Sequence, residues 1–408
     1  MKVLFVSMVA FENNTSATIQ NKGIVKGLFA LGHDVDIMTL TPNQSTISYD
    51  NTMNDINFLI KNRYYIDMDS KYEMLMAKKN KSSGTSPKLN ENKNPLIYIL
   101  KKGRSIIKAV YDNTFIFDAQ KVNVKQVSKV NIDYNEYDII ISASDPKSSH
   151  LLVERIFTEN KGCKAKWIQY WGDPFLNDIT RKSDWRNSLV KYYENRLIVK
   201  ANKVVYASPI TLNTQKETFP KQAYKMTYAS QAYANEQQLL NKNKVIKKDQ
   251  HITMGYFGAF HSRIRNIIPL YNTVRECNDI KLNICGSSDL TLSNTKNISV
   301  DGMVSYKEVV EMEENSDILV CICNRNGTQI PGKIYYCTSY QKPIIVILDS
   351  EFKDELREYF KKFNRFILCE NEEKSIKDAI VKARNQLKTV DYGISELLTP
   401  EYMVKKIL

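Results

Sequence analysis

The segment from Gly327 to Lys333 holds two glycines, a proline and a lysine, with the apolar runs DILVCIC before it and KPIIVI after it. A loop punctuated in this way between a strand and a helix leaves backbone N–H groups free at the helix start. With the full positive charge of Lys333 beside them, those groups can hold a phosphate. Gly327, Gly332 and Lys333 fit G-x-x-x-x-G-K, the opening of a nucleoside-triphosphate loop. The next residue is Ile334, where that loop needs Ser or Thr for magnesium, and Pro331 removes one N–H donor, so the spacing argues against an NTPase. Two readings of the loop stand: a phosphate contact, or a strand-to-helix turn with an exposed lysine.

Other residues with chemical capacity sit just after apolar runs. Asp145 and Asp173 each precede a proline, in ISASDP and WGDP, and His150 follows in what reads as the first turn of a helix. A carboxylate or an imidazole can take or position a hydroxyl proton. An Asp before Pro is equally a turn or cap residue, and a histidine in a first turn can cap or pack. Arg263 and Arg265 follow HITMGYFG, where they can neutralise an anion or simply solvate a turn, and His261 is a secondary phosphate candidate. His33 reads as a helix-end residue and His251 as part of a linker.

Two alternating blocks of strands and helices position these residues. In the first, KVLFVSMV precedes a helix with Ile19, Ile24, Leu28 and Leu31 at helical spacing, and DVDIMTL follows as a strand. The loop AFENNTSATIQ contains no glycine, so it lacks the dinucleotide fingerprint, and Thr15 or Ser16 is placed to cap the helix. INFLIKNRYYI reads as a further strand. YDIIISA, AKWIQYW, KVVYA and KMTYAS continue the series, with helices from about 148, across 185–201 and after Pro209. The second block begins at HITMGYFG and runs through a helix near 266–277, KLNICG, a helix over 306–315, the opening segment, RFILC and a helix over 372–388. A short helix after Pro400 closes the chain. The expected division is an N-terminal Rossmann-like domain over 1–230, a polar linker over 231–250, a C-terminal Rossmann-like domain over 251–390, and a terminal helix over 391–408 that packs back on the first domain. Ligands of open parallel sheets bind at the carboxyl ends of the strands.

At 408 residues with 43% hydrophobic content, the chain can fill two cores. The start MKVLFVSMVAF has no small-residue cleavage site, and no apolar run reaches the roughly 18–20 residues that span a bilayer, so a soluble cytoplasmic protein is expected. Seven cysteines without a C-x-x-C pair lie mostly in apolar strands, which argues against disulfides and zinc. The formal charge of +13 asks for an anionic partner. Twelve Lys or Arg between Lys61 and Lys108 are interleaved with Tyr64, Tyr65, Tyr72 and Tyr98, marking a basic insertion over about 61–118. Its stretch PLIYILKKGRSIIKAVYDNTF reads as a basic amphipathic helix that suits an anionic membrane surface, with a solvated insertion as the other reading. No recognition helix, zinc finger or ribonucleoprotein signature is present, which disfavours nucleic acid.

Six fragments, in order, resemble the GT-B glycosyltransferases, particularly the family 4 type of bacterial polysaccharide and lipopolysaccharide synthesis. They are ISASDPKSSHLL, WIQYWGDPFLNDIT, ANKVVYASP, ITMGYFGAFHSRIRN, VDGMVSYKEVVEMEENSDILVCI and IPGKIYYCTSYQKPIIVI, the last resembling "PGKLFEYLAAGKPVLA". The resemblance covers nearly the whole chain. It implies an α/β fold of two facing Rossmann-like domains, a nucleotide-diphosphate-sugar donor, and a glycan or lipid-linked hydroxyl acceptor at the inner membrane face, with no bound cofactor or metal. On that footing Arg263, Arg265, Lys333, Pro331 and Gly332 would meet the leaving diphosphate, and Gly258 would let the backbone approach it. Asp145, His150 and Asp173 would serve the acceptor. The family commonly carries glutamates where this chain has Tyr336, the ribose contact, and Thr328, and a glycine where it has Gln341. These departures put the mode of ribose recognition in doubt and admit a GT-B protein that binds nucleotide, sugar or a partner enzyme without catalysis.

Overall fold

A computed structural model describes residues 1–68, 116–233 and 251–408, apart from 47, 54, 182, 183, 388–391, 393 and 394. Most of the expected basic insertion, including its amphipathic helix, and residues 234–250 of the expected linker lie outside the described residues.

Two fully parallel sheets carry the chain. The first holds β1 (Lys2–Ser7), β2 (Asp34–Leu40), β3 (Arg63–Ile66), β4 (Ile139–Ser144), β5 (Lys166–Trp171), β6 (Lys203–Tyr206) and β7 (Met226–Tyr228) in the order β3-β2-β1-β4-β5-β6-β7. The second holds β8 (Ile252–Phe257), β9 (Ile280–Cys285), β10 (Ile298–Asp301), β11 (Ile318–Ile322), β12 (Ile344–Leu348) and β13 (Ile367–Glu370) in the order β10-β9-β8-β11-β12-β13. Helices cover both faces of each sheet, and the central strands are therefore apolar without alternation; β4, β11 and β12 are buried at every position.

The helices start where hydroxyl side chains can satisfy their free N–H groups. Thr15 accepts from Thr18 N–H at the start of Ser16–Ala30, and Ser208 precedes Pro209 at the start of Pro209–Thr218. Ser305 and Glu308 form a reciprocal capping box on Tyr306–Asn315. The terminal helix Pro400–Ile407 packs on Ser16–Ala30, so close that a Cβ on Gly27 would lie 2.2 Å from the Pro400 carbonyl oxygen. Among the described residues no helix is long and apolar enough to cross a membrane.

Three local expectations change. INFLIKNRYYI is a strand only over Arg63–Ile66; Asn57–Leu59 is a 3-10 turn, and Asn62 bonds through its N–H and its amide to buried Asp36 within β2. The helix expected after the glycine–lysine loop is a single turn, Lys333–Tyr336, running into a 3-10 turn over Cys337–Ser339. There the hydroxyls of Thr338 and Ser339 donate to the carbonyls of Tyr335 and Tyr336, competing with helical propagation. The helix Lys353–Lys361 and the edge strand β10 were not expected from the sequence.

Candidate active site

Each sheet reverses its winding once, between β1 and β4 in the first domain and between β8 and β11 in the second. The crevice beyond the strand ends at such a reversal is the natural ligand position of a doubly wound sheet. Loops from both reversals line one cavity of about 290 Å3, with Ser16, Asp145 and Asp173 on one wall and Ala259, Arg265 and Asn324 on the other. A second cavity of about 430 Å3 adjoins it, sharing Ser16, Ala259, Arg265, Pro331 and Gly332 and extending to Gly258, Tyr306 and Lys333.

Sheet register brings the two aspartates together. Ser144 on β4 pairs with Trp171 on β5, so Asp145 and Asp173 leave adjacent strands almost level. Gly172 makes the approach feasible, since a Cβ there would stand 2.9 Å from the Ser144 carbonyl oxygen and 3.0 Å from Gln20. Asp178 completes a group of three carboxylates whose oxygens lie within 4.8 Å of one another. That spacing can hold a divalent cation. The ammonium of buried Lys147 already bonds to Asp145 and to Asp178, the latter at 2.9 Å.

The electrostatics split the carboxyls. Burial, and then the neighbouring Asp145 carboxylate, push Asp173 up to about 8, so at neutral pH it carries a proton and can donate to Asp145. Burial would also raise Asp178, but Lys147 overrides it and leaves that carboxyl below its ordinary value. For Lys147 itself burial favours the neutral amine, and Asp145 with Asp178 reverses this, holding the charge. The loop bearing Asp173 is anchored from beneath: fully buried Glu194 accepts from the N–H groups of Phe175 and Leu176 at 3.0 and 2.9 Å.

On the opposite wall Arg265 is held by bonds to Asn324 Oδ1 and the Ala259 carbonyl, both 2.9 Å. Gly258 opens on the second cavity with nothing within 4 Å of an added Cβ, which leaves room for close backbone approach. Pro331 and Gly332 line both cavities. Lys333 reaches the second cavity but pairs with Glu313, a buried residue of Tyr306–Asn315 that also accepts from Tyr340 Oη at 2.7 Å. His261 lines the first cavity, its Nε2 3.4 Å from Ser287 Oγ.

Other expected site residues take different places. His150 is fully buried and lines neither cavity. Its Nδ1 bonds to Ser142 Oγ at 2.7 Å, its ring packs 4.1 Å from Trp171, and burial holds its pKa well below the ordinary histidine value. A helix that turns its first residues inward against β4 and β5 puts this ring in the core, where it cannot reach an acceptor. Arg263 is exposed and lines neither cavity. Thr328 bonds across the domains, its Oγ1 3.0 Å from Thr211 Oγ1 and its carbonyl accepting from Ser208 and Thr211. Tyr336 does line the second cavity, and its Oη donates to the Ser16 carbonyl at 2.9 Å, a second tie between domains.

No protein-family model matches the chain, and no curated protein matches its sequence. Solved structures do. The chain superposes over its full length on a glycosyltransferase from Rickettsia africae (TM-score 0.51, 14% identity, 93% of that chain). It also superposes on Anabaena HepE in complex with UDP and glucose (0.54, 10%, 94%). The fold is GT-B. A third match, the lipopolysaccharide outer core galactosyltransferase WaaB in its apo form (0.50, 12%, 98%), has the same architecture. At these identities the likeness establishes the GT-B fold, and activity must be argued from the site.

Sequence reasoning reached Asp145, Asp173, Arg265, Gly258, His261, Pro331, Gly332, Lys333 and Tyr336, all of which line the cavities, but passed over Lys147, Asp178, Glu194 and the amides of Gln231, Asn324 and Gln329. Lys147 and Asp178 had a local signal, each standing within five residues of one of the Asp-Pro pairs. Glu194 had none, because a lone glutamate on a helix reads as solvated.

Proposed function

We propose that the chain is a glycosyltransferase that moves a sugar from a nucleotide-diphosphate-sugar donor to a hydroxyl of a glycan or lipid-linked acceptor. The observation that carries this reading is the Asp145–Asp173 pair facing Arg265 across an interdomain cavity. Asp145, ion-paired with Lys147, accepts the acceptor proton as the hydroxyl attacks the anomeric carbon. Arg265 and His261 meet the charge that grows on the departing diphosphate, and Gly258 gives it room. Lys147 supplies the local positive charge among the carboxylates, so the reading needs no metal. HepE, solved with UDP and glucose, gives the donor class a precedent on this fold. A family 4 activity in surface-polysaccharide synthesis, at the inner face of a membrane that the basic insertion would touch, is the finer form of the proposal.

One set of contacts favours a second reading, a GT-B protein that binds without catalysis. Lys333 is neutralised by Glu313, and Thr328 and Tyr336 are engaged between the domains. Calorimetric titration with UDP, GDP and dTDP separates the two readings. The enzyme reading expects one of them to bind and the matching donor to be turned over, with Asp145→Asn abolishing turnover while nucleotide affinity stays within about threefold. No nucleoside diphosphate binding refutes it; binding without hydrolysis or transfer supports the second reading.

A further inference from the structure

Three polar atoms at the cavity have no hydrogen-bond partner among the described residues. Gln329 is 7% exposed with neither Oε1 nor Nε2 bonded, and Gln231 is 6% exposed with Oε1 unbonded. Both side chains line the cavity that Asp145 and Asp173 close from the other side. Leaving such groups buried and unmet costs about 1–3 kcal/mol each. The surroundings hold them in place nonetheless. The Gln329 carbonyl accepts from Asn324 Nδ2 at 2.9 Å, and Asn324 Oδ1 in turn accepts from Arg265, so the Gln329 backbone is tied to the basic wall. Gln231 Oε1 lies so near Gly332 that a Cβ there would be 2.7 Å away, which fixes the amide against the glycine–lysine loop.

We infer that Gln329 and Gln231 form a subsite that reads the hydroxyl groups of a neutral donor sugar and rejects acidic sugars such as hexuronic acids. This rests on the reading of the cleft as a nucleotide-sugar site. A carboxamide offers one acceptor and one donor group, a match for a sugar hydroxyl, which both gives and takes a hydrogen bond. Neither amide carries charge to balance a sugar carboxylate. Across the cavity stand Asp145, Asp173 and Asp178, with only Lys147 among them, while Arg265 and His261 face the diphosphate. A carboxylate on the sugar would thus be desolvated beside Asp145 and Asp178, whose cation Lys147 is already paired with both.

The test compares binding of a nucleoside diphosphate with binding of its sugar ester. UDP, UDP-glucose and UDP-glucuronic acid are titrated into the full chain and into Gln329→Leu and Gln231→Leu; GDP, GDP-mannose and GDP-mannuronic acid form the parallel set. The glucuronic or mannuronic ester is expected to bind the unaltered protein at least about tenfold more weakly than the neutral ester. Each leucine variant is expected to lose about tenfold for the neutral ester while its affinity for the bare diphosphate moves less than about twofold. Thermal unfolding should show Gln329→Leu at least as stable as the parent, because leucine leaves no polar atom unmet, whereas a structural glutamine would give a large loss. Equal losses for ester and diphosphate, or acidic and neutral esters that bind alike, would overturn the amide assignment and leave the nucleotide-sugar reading standing. Failure of every diphosphate to bind would overturn both.

Discussion

Replacing Glu194 by Gln tests the loop that carries Asp173 without knowledge of any substrate. Glu194 is fully buried, and burial, only partly offset by the N–H groups of Phe175 and Leu176, raises its pKa from an ordinary 4.5 to about 7. A folded-state pKa above the unfolded one means that the native protein holds a proton the unfolded chain releases. The associated stability is fully present below pH 4.5 and is lost as pH rises through about 7. At about 1.4 kcal/mol for each pH unit, the loss is about 3 kcal/mol. For a domain of this size that is roughly 6–10 °C in melting temperature. Glu194→Gln cannot ionise, and its amide keeps one acceptor for the two N–H groups, so it costs about 1 kcal/mol at every pH. Melting curves between pH 4.5 and 8 should therefore show the parent more stable than the variant at the acid end, and the variant drawing level or ahead at the alkaline end. Two parallel stability profiles would refute the assignment of a proton to buried Glu194.

Two further outcomes follow from the same wall of the cleft. Lys147→Met leaves Asp145 and Asp178 without their cation and should destabilise the protein by about 3–5 kcal/mol near pH 8 and by less near pH 5, where the carboxylates can take protons; added Mn2+ should raise the melting temperature of the variant more than that of the parent, and equal responses would count against three convergent carboxylates. Tyr336→Phe removes the hydroxyl that bonds to the Ser16 carbonyl and should cost about 0.5–1.5 kcal/mol while increasing the radius of gyration seen by small-angle scattering; a variant with unchanged melting and scattering would show that this bond does not hold the domains together.

The architecture was legible because parallel sheets covered on both faces write themselves as short continuous apolar runs, and IIIS, ILVCI and IIVIL stand out from their polar surroundings. The strand β10 was hidden because it lies at an edge with only Ile298 buried, in a stretch otherwise polar. The same limit applied to the site. Asp145 and Asp173 announced themselves by following apolar strands, and parallel register then placed them together. His150 carried the same kind of signal and proved to be core, because which side of a helix turns inward depends on packing against β4 and β5. For Lys333 the charge and the loop were legible but not Glu313, which approaches from a helix about twenty residues earlier. Partners that meet only through tertiary structure leave no spacing to read.

The two positions where the resembling family places glutamates acquire a physical meaning from their surroundings. Thr328 and Tyr336 are neutral, and each spends its polar groups on the first domain rather than on open cavity. A carboxylate at 336 would bring a fresh negative charge to a cleft that already contains Asp145, Asp173 and Asp178, with Asp173 raised to about 8 in part by its neighbour. Neutral hydroxyls avoid that repulsion and make closure of the domains independent of the ionisation of these two positions. Glu313 is the carboxylate that neutralises Lys333, which lines the larger cavity. On the proposed function, positive charge for a diphosphate would then come mainly from Arg265, which Asn324 and Ala259 hold in place. On that reading Arg265, more than Lys333, is the side chain on which diphosphate affinity should depend.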